Sequence, residues 1–369
     1  MKKKTIHLIT SLEAGGAETQ LYNLVLKEQE EGGEPIVICL KKKKSHILSK
    51  LRESNIQVYE LQFKGIYFIY SLFNLLILFS RLSKTNSILV AWMYHACFLS
   101  IILKFLQRDV TVFWFIRRTE VPKGVTGFIS KINSKFSCIV PNKIICNSNS
   151  GCVSHSSAGY CSDRLLLLPN AIDVASLQKS SGSISALKKH LGISDEKIVI
   201  GSVARYHPIK GHSFLLKALK RFPDVNFVCV LVGRGVSEAP ELILDIEELH
   251  RLGKLIITGE RRDVGTLMTM FDFFVLPSLS EGFPNVVAES MSLKTPCIVT
   301  DVGDASLIVG ETGLVVAPGD VDELYAALSI FLKHSRESLS RLGDISSQRI
   351  MMNYELDYIF QTYRSIIEE

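Results

Sequence analysis

The segment Ser280-Glu281-Gly282-Phe283-Pro284-Asn285-Val286-Val287-Ala288-Glu289 decides how this chain is interpreted. The apolar run Phe271–Leu276 precedes it and is rich in the β-branched and aromatic residues of a buried strand. Val286–Leu293 follows with a helical pattern, and Pro284 suits a first helical turn because its missing N–H would be unpaired there anyway. The order strand, glycine-bearing turn, helix leaves backbone N–H groups at the helix start that attract an anion such as a phosphate.

Two carboxylates flank this helix start. Glu281 lies in the turn, and Glu289 follows about two helical turns later. A carboxylate repels a phosphate, but it accepts hydrogen bonds from hydroxyl groups such as those of a sugar. The segment therefore combines a phosphate site with hydroxyl recognition. The alternative is an amphipathic helix that carries two solvated glutamates.

Length and composition indicate a globular protein of two domains. The chain has 369 residues, of which 47% are hydrophobic and 21% charged. Its eight cysteines form no C-x-x-C pair, which disfavours zinc and redox motifs. Lys2-Lys3-Lys4 precedes only a strand-length apolar run, so we expect no signal peptide there.

The charge is unevenly distributed. Met1–Leu177 contains 22 basic and 12 acidic residues, a net charge of +10, whereas Gln178–Glu369 contains 20 and 25, a net charge of −5. A basic first half suggests an anionic partner. No nucleic-acid recognition module is visible, so an anionic membrane surface is the preferred interpretation.

The long apolar run Phe63–Phe79 bears on the same question. It is short for a span of roughly 20 residues, which favours a buried or interfacial helix. Lys64, Arg81 and Lys84 bracket it, as basic residues do at a lipid head-group layer. Contact with a membrane surface and burial in the core both remain open.

Two loops of the first half are candidate ligand contacts. Gly15-Gly16 follows the strand Thr5–Thr10, and such a turn lets a ligand approach the backbone closely. His95 follows the strand Ser87–Trp92, where we expect the chain to open into a loop at the carboxyl edge of a sheet. An ordinary connecting loop and a packed or surface histidine are the alternatives. Arg117-Arg118 is either an anion contact or a solvated pair.

The second half offers two cations in a short turn. Arg205 and Lys210 lie five residues apart across Pro208, after the strand Lys197–Val203. An arginine fork and a mobile lysine can together grip a diphosphate. Asp320-Val321-Asp322 has the form of a metal-binding pair, but it follows Pro318-Gly319 and is better interpreted as a helix cap.

Several motifs together resemble the retaining glycosyltransferases of the GT-B fold that carry an E-x7-E motif, the group 1 or family 4 type. Glu281 and Glu289 have the E-x7-E spacing, and Gly201–Gly211 is similar to the G-R-x4-K-G element of that family. The remaining motifs are Gly15-Gly16-Ala17-Glu18, the G-x-R-x-D-V turn Gly259–Val264, Gly233-Arg234-Gly235, and Pro169-Asn170-Ala171-Ile172-Asp173, in which Ala171 replaces the usual glycine. A further departure is Ser306, near which the family usually has a glutamate.

The resemblance implies two Rossmann-like parallel-sheet domains that face each other across a cleft. Residues 1–178 would form the acceptor-side domain and residues 179–349 the nucleotide-sugar domain, with the boundary in the Ser/Gly-rich linker Lys179–Ile184. Residues 350–369 would form a helix that crosses back to the first domain.

The resemblance also implies site roles. Arg205, Lys210 and the helix start would stabilise the leaving diphosphate, Glu281 would hold donor sugar hydroxyls, Glu289 would hold the ribose, and His95 would contact the sugar. The residues expected to be catalytic are His95, Glu281, Arg205 and Lys210. Those expected to bind the donor are Gly16, Arg205, Lys210, Glu260, Arg261, Glu281, Gly282, Phe283, Pro284, Asn285, Val286 and Glu289.

The expected activity is hexosyl transfer from a nucleotide-diphospho-sugar, UDP- or GDP-linked, to a lipid-linked saccharide, with retention of configuration. We expect no metal and no cofactor. The expected setting is surface polysaccharide, lipopolysaccharide or capsule synthesis at the cytoplasmic face of the membrane. A nucleotide-sugar epimerase and a catalytically idle binding subunit are the alternatives. The E-x7-E spacing argues against the first, and the intact Arg205, Lys210, Glu281 and Glu289 argue against the second.

Overall fold

The computed structural model describes residues 4–13, 15–63, 65–83, 87–179 and 184–368. The linker residues Ser180–Ser183 and the lysines Lys2, Lys3, Lys64 and Lys84 lie outside these ranges. The chain divides into two compact units. Unit 1 comprises Met1–Ala171 and Leu356–Glu369, and unit 2 comprises Ile172–Glu355.

Unit 1 is built on a seven-stranded parallel sheet. Its strands are β1 (Thr5–Ile9), β2 (Ile36–Cys39), β3 (Gln57–Glu60), β4 (Ile88–Trp92), β5 (Thr111–Ile116), β6 (Lys143–Cys146) and β7 (Leu165–Leu167). Its helices are α1 (Gly16–Glu30), α2 (His46–Glu53), α3 (Phe68–Leu82), α4 (Met93–Leu106), α5 (Gly124–Phe136) and α6 (Asn149–Ser157), and the last helix of the chain (Leu356–Glu368).

The strand order in unit 1 is β3-β2-β1-β4-β5-β6-β7. Strands β1 and β4 are wholly buried, as the continuous apolar runs of a parallel sheet covered on both faces require. The order reverses between β1 and β4, and ligands of open α/β sheets bind at such a point, beyond the carboxyl ends of the strands. At the start of α6 the Ser148 hydroxyl caps the helix by accepting the Gly151 N–H at 3.0 Å.

Unit 2 is built on a six-stranded parallel sheet of order β10-β9-β8-β11-β12-β13. The strands are β8 (Ile198–Val203), β9 (Phe227–Val232), β10 (Leu255–Gly259), β11 (Phe273–Leu276), β12 (Cys297–Thr300) and β13 (Leu314–Val316). The helices of unit 2 are α7 (Val174–Lys179), α8 (Ile184–His190), α9 (His212–Leu219), α10 (Ile243–Arg251), α11 (Val264–Met268), α12 (Asn285–Ser292), α13 (Ala305–Val309), α14 (Val321–Lys333) and α15 (Arg336–Asn353). The last helix of the chain, in unit 1, is α16 (Leu356–Glu368).

The two predicted Rossmann-like sheets are therefore confirmed. In unit 2 the strand order reverses between β8 and β11. The loop that carries Arg205 and Lys210 follows β8, and the loop that carries Glu281 follows β11. Asp320 caps α14 by accepting the N–H groups of Asp322 and Glu323, which confirms the helix-cap interpretation of that motif.

The chain passes between the units at positions that differ from the expected ones. Unit 2 begins at Ile172, before the predicted linker, because Ile172 and Val174 are buried in its core. The expected helix that crosses back to the first domain is α16, which belongs to unit 1, but it begins at Leu356 rather than at residue 350, because α15 ends at Asn353. Within unit 2 the Ile172 N–H donates to the Tyr354 carbonyl at 2.8 Å, and this pairing interrupts the helix.

Candidate functional site

The turn between β11 and α12 is stabilised by hydrogen bonds from β12 and from the segment that follows β12. The Thr300 hydroxyl donates to the Ser278 carbonyl at 2.6 Å, and the Asp304 N–H donates to the Gly282 carbonyl at 2.8 Å. Pro284 is the N-cap residue of α12 rather than a residue of its first turn, and it has no side-chain oxygen to cap the helix. The helix start therefore has no side-chain cap, and the positive end of its dipole can attract an anion.

Lys210 and Glu281 meet at this turn. Lys210 Nζ lies 2.7 Å from Glu281 Oε1, and the Ser278 hydroxyl donates to the same oxygen at 2.7 Å. The Glu281 side chain is only 12% exposed, so the contact is shielded from solvent. A cation and a carboxylate are thus placed side by side, next to the start of α12.

Backbone contacts join the two loops. The Leu279 N–H donates to the Ile209 carbonyl at 2.7 Å. Gly211, which directly follows Lys210, has a φ of 68°, and a Cβ atom there would lie 1.8 Å from the Pro277 carbonyl oxygen. Only glycine permits this approach, because any side chain would collide with backbone. The position of Lys210 is therefore set by the backbone.

A second glycine supports the turn from its other side. Gly303 has a φ of 58°, and a Cβ atom there would lie 2.3 Å from the Gly282 oxygen and 2.6 Å from the Glu281 oxygen. No motif in the sequence predicted these contacts of Ser278 and Gly303.

Arg205 follows β8 on the same edge of the sheet as Lys210, and its side chain is exposed. A Cβ atom on Gly233 would lie 2.9 Å from the Arg205 backbone nitrogen, so the Gly233-Arg234-Gly235 turn packs closely against Arg205. His212 is buried, and burial lowers its pKa to about 4, although a hydrogen bond to the Ala204 backbone opposes this shift. A neutral histidine thus supports the backbone just before Arg205.

Glu289 lies within α12 and is partly exposed. Burial raises the pKa of its carboxyl from the ordinary value of 4.5 to about 7. Near neutral pH the group is therefore divided between acid and carboxylate. Hydroxyl donors favour the carboxylate, so a ligand that supplies them would lower this pKa.

We expect Glu289→Gln to stabilise the ligand-free protein in a pH-dependent way. A carboxyl with a raised pKa favours the protonated folded state, so its ionisation costs stability progressively as the pH rises from about 4.5 to about 7, and fully above that. The advantage of the variant should be about a quarter of its full value at pH 5 and reach about 1–2 kcal/mol at pH 8, a value discounted for partial exposure. Urea unfolding at both pH values measures it. An advantage that is equal at pH 5 and pH 8 would contradict the assigned titration.

The predicted Gly259–Val264 turn follows β10. Arg261 forms a two-bond fork with Asp263, at 2.8 Å from Nε to Oδ1 and 2.6 Å from Nη2 to Oδ2. This pairing holds the pKa of the Asp263 carboxyl below its usual range. Glu260 is exposed. The Arg261 side chain thus stabilises the turn by pairing with Asp263.

In unit 1 the expected residues follow the two strands at the reversal point. Gly16 begins α1 after β1, and His95 lies in the first turn of α4 after β4. The expected loop at His95 is wrong, because Met93 has a φ of 69° and turns the chain directly from strand to helix. Burial, and secondarily Lys41, lower the pKa of His95. The side chain is partly buried, and its imidazole is neutral at physiological pH.

The Arg117 side chain forms its contacts within unit 1, so it is neither the expected anion contact nor a solvated residue. Its Nη1 donates to the Leu168 carbonyl at 2.8 Å and to Asn170 Oδ1 at 3.1 Å. The guanidinium carbon also lies 5.0 Å from the centre of the Phe115 ring. Burial lowers the pKa of Arg117 to about 9. Arg118 is exposed.

Comparison with solved structures identifies the fold. HepE from Anabaena, solved in complex with UDP, is similar with a TM-score of 0.84 and 20% identity over 99% of both chains. At this identity the likeness shows the fold alone. The two Rossmann-like units and their strand orders define a protein of the GT-B fold.

Sequence comparison relates unit 2 to a family of glycosyltransferases. The sequence profile described as "Glycosyl transferases group 1" matches residues 197–334. Most of unit 2 thus resembles a group 1 glycosyltransferase domain. An Escherichia coli relative, UDP-Gal:alpha-D-GlcNAc-diphosphoundecaprenol alpha-1,3-galactosyltransferase, is 28% identical over 45% of this chain and 44% of its own.

A second relative shows the same extent of similarity. The N-acetylgalactosamine-N,N'-diacetylbacillosaminyl-diphospho-undecaprenol 4-alpha-N-acetylgalactosaminyltransferase of Campylobacter jejuni is 28% identical over 46% of this chain and 45% of its own. The matched part therefore covers less than half of the length of either relative.

Proposed function

We propose that this chain transfers a hexosyl group from a nucleotide-diphospho-sugar to a lipid-linked saccharide, with retention of configuration. One observation carries the proposal: Lys210 and Glu281 meet at 2.7 Å beside the start of α12, at the point where the strand order of unit 2 reverses. This arrangement suits a ligand that joins an anionic diphosphate to a hydroxyl-bearing sugar.

In the proposed reaction the bond between the anomeric carbon and the diphosphate oxygen breaks, and its electron pair leaves with the nucleoside diphosphate. Arg205, Lys210 and the N-terminus of α12 stabilise the charge that develops on that oxygen. The acceptor hydroxyl forms the new bond on the same face of the sugar, and its proton passes to the departing phosphate. Neither a metal nor another cofactor is part of this scheme.

The remaining site residues have supporting roles in the proposal. Glu281 holds donor sugar hydroxyls, Glu289 holds the ribose hydroxyls, and the Glu260–Arg261 turn receives the base through its backbone. From unit 1, Gly16 lets a ligand approach closely, and His95 contacts the donor sugar as a neutral imidazole.

The relatives support the substrate classes. The names of the Escherichia coli and Campylobacter jejuni enzymes specify acceptors linked to diphosphoundecaprenol, and HepE of Anabaena was solved with UDP-glucose. We propose an acceptor of this lipid-linked type and a UDP- or GDP-linked donor. The proposed setting is surface polysaccharide synthesis, of the lipopolysaccharide, O-antigen or capsule type, on the cytoplasmic face of the membrane.

A thermal-shift panel of UDP-, GDP- and ADP-sugars tests the donor. A ligand that binds only the folded state at a hundred times its Kd stabilises that state by about 2.7 kcal/mol. We expect one nucleotide class to raise the melting temperature and the others to have little effect. The same donor should then be hydrolysed or transferred, and NMR should show a product with the donor's anomeric configuration. No shift with any nucleotide sugar would contradict the proposal, and an inverted product would contradict retention.

A further inference from the structure

The start of α3 and the turn before it form an exposed apolar ridge in unit 1. Ile66 and Ile69 are 89% and 79% exposed, which is far beyond what apolar side chains of this size normally show. Contiguous exposed apolar residues mark the place where a protein meets a partner or a lipid phase. We call this set the docking ridge, and it consists of Ile66, Tyr67, Phe68, Ile69, Tyr70 and Phe73.

A cationic turn lies beside the docking ridge. All four residues of Lys41–Lys44 are exposed, and Lys43 pairs with Glu13. Lys41 pairs with Gln62 in an antiparallel bridge, and the Phe63 N–H donates to the Leu40 carbonyl at 3.0 Å. The Phe63 ring then packs edge-on against Phe68, with ring centres 5.4 Å apart. The lysine turn and the docking ridge therefore belong to one surface of unit 1.

Within the described ranges, Gly65–Leu82 is long and apolar enough to cross a membrane by length and composition. Its packing argues against a span. Ser71, Leu75, Phe79 and Leu82 are buried, and they form a stripe against the core of unit 1. A spanning helix would have to leave that core.

We propose that unit 1 docks on an anionic lipid bilayer, with the docking ridge in the acyl boundary and Lys41–Lys44 at the phosphate head groups. Aromatic rings and lysines divide between these two layers in just this way. Only the first two turns of α3 enter the lipid, and the Leu75–Leu82 half stays in the fold. The inference deepens the proposed function, since it rests on a lipid-linked acceptor being presented at that surface.

Vesicle sedimentation of the full chain tests the proposal with two variants and two matched controls. Ile69→Ser with Phe73→Ser removes exposed apolar side chains, and Leu244→Ser, 78% exposed on α10, is its control. Lys42→Glu with Lys44→Glu reverses charge in the turn, and Lys189→Glu with Lys217→Glu, both exposed in unit 2, is its control.

We expect the wild type to bind phosphatidylcholine vesicles that contain phosphatidylglycerol, and to bind pure phosphatidylcholine weakly. Each lysine near an anionic surface contributes about fivefold, so the charge variant should lose on the order of tenfold or more. The ridge variant should lose at least as much, the controls should stay within about twofold, and sodium carbonate should release the bound wild type.

Four results would overturn the proposal. The first is that the ridge and lysine variants bind like the wild type, and the second is that binding requires a polyisoprenyl phosphate in the vesicles. The third is that the ridge mediates self-association that the ridge variant abolishes. The fourth is that carbonate fails to extract the protein, as for a spanning helix. The nucleotide-sugar melting shift is measured on the same preparations. A shift without vesicle binding contradicts only the docking, and vesicle binding without a shift contradicts only the transferase.

Discussion

Lys210→Ala is expected to reduce kcat about 10²–10³-fold, the usual loss when one preorganised donor to developing negative charge is removed. The loss arises in the transition state, because the leaving diphosphate gains charge as the anomeric bond breaks. Lys210 is held for this role by Glu281 at 2.7 Å and by the backbone of Gly211. Steady-state transfer assays, with donor affinity measured separately, would check it.

Two matched variants make the result for Lys210 specific. Lys217→Ala removes an exposed lysine of α9 and should leave kcat unchanged. Lys210→Arg keeps the positive charge but presents it in a different geometry, so this variant should recover part of the lost kcat. If Lys210→Ala keeps at least a third of the wild-type rate, Lys210 does not stabilise the leaving group, and the central step of the proposed function is wrong.

The sequence predicted the local parts of this site better than their contacts. The strand, turn and helix around Glu281 follow from composition and from one proline and one glycine. The contact of Lys210 with Glu281 joins positions 71 residues apart, and it depends on β8 and β11 being neighbours in the sheet. A motif alone places both residues at strand ends, but it does not specify that Ser278 shares the same carboxylate oxygen.

The errors have a common physical cause, which is backbone geometry imposed by tertiary contacts. Met93 adopts a left-handed φ of 69°, which sequence patterns assign to glycine or asparagine, and so the expected loop at His95 is absent. Residues 350–369 contain neither glycine nor proline, and one helix is expected there from the sequence. The chain breaks at Tyr354, with φ −136° and ψ 1°, because Ile172 pairs with this segment.

Gly211→Ala should strongly destabilise the folded state of unit 2. Gly211 has a φ of 68°, and an added Cβ would lie 1.8 Å from the Pro277 carbonyl oxygen. The left-handed backbone alone costs about 1–2 kcal/mol for a side chain. The collision with backbone cannot be relieved by a rotamer change, so we expect a total of roughly 4 kcal/mol or more.

Gly192 provides the control, since it has the same φ of 68° and a Cβ atom there would have no neighbour within 4 Å. Gly192→Ala should therefore lower the melting temperature by about 2–8 °C, and Gly211→Ala by roughly 8–16 °C, at about 2–4 °C per kcal/mol for a unit of this size. Calorimetry of both variants separates the backbone strain from the collision. Equal melting temperatures would mean that Pro277 can move away, and that the backbone does not fix Lys210.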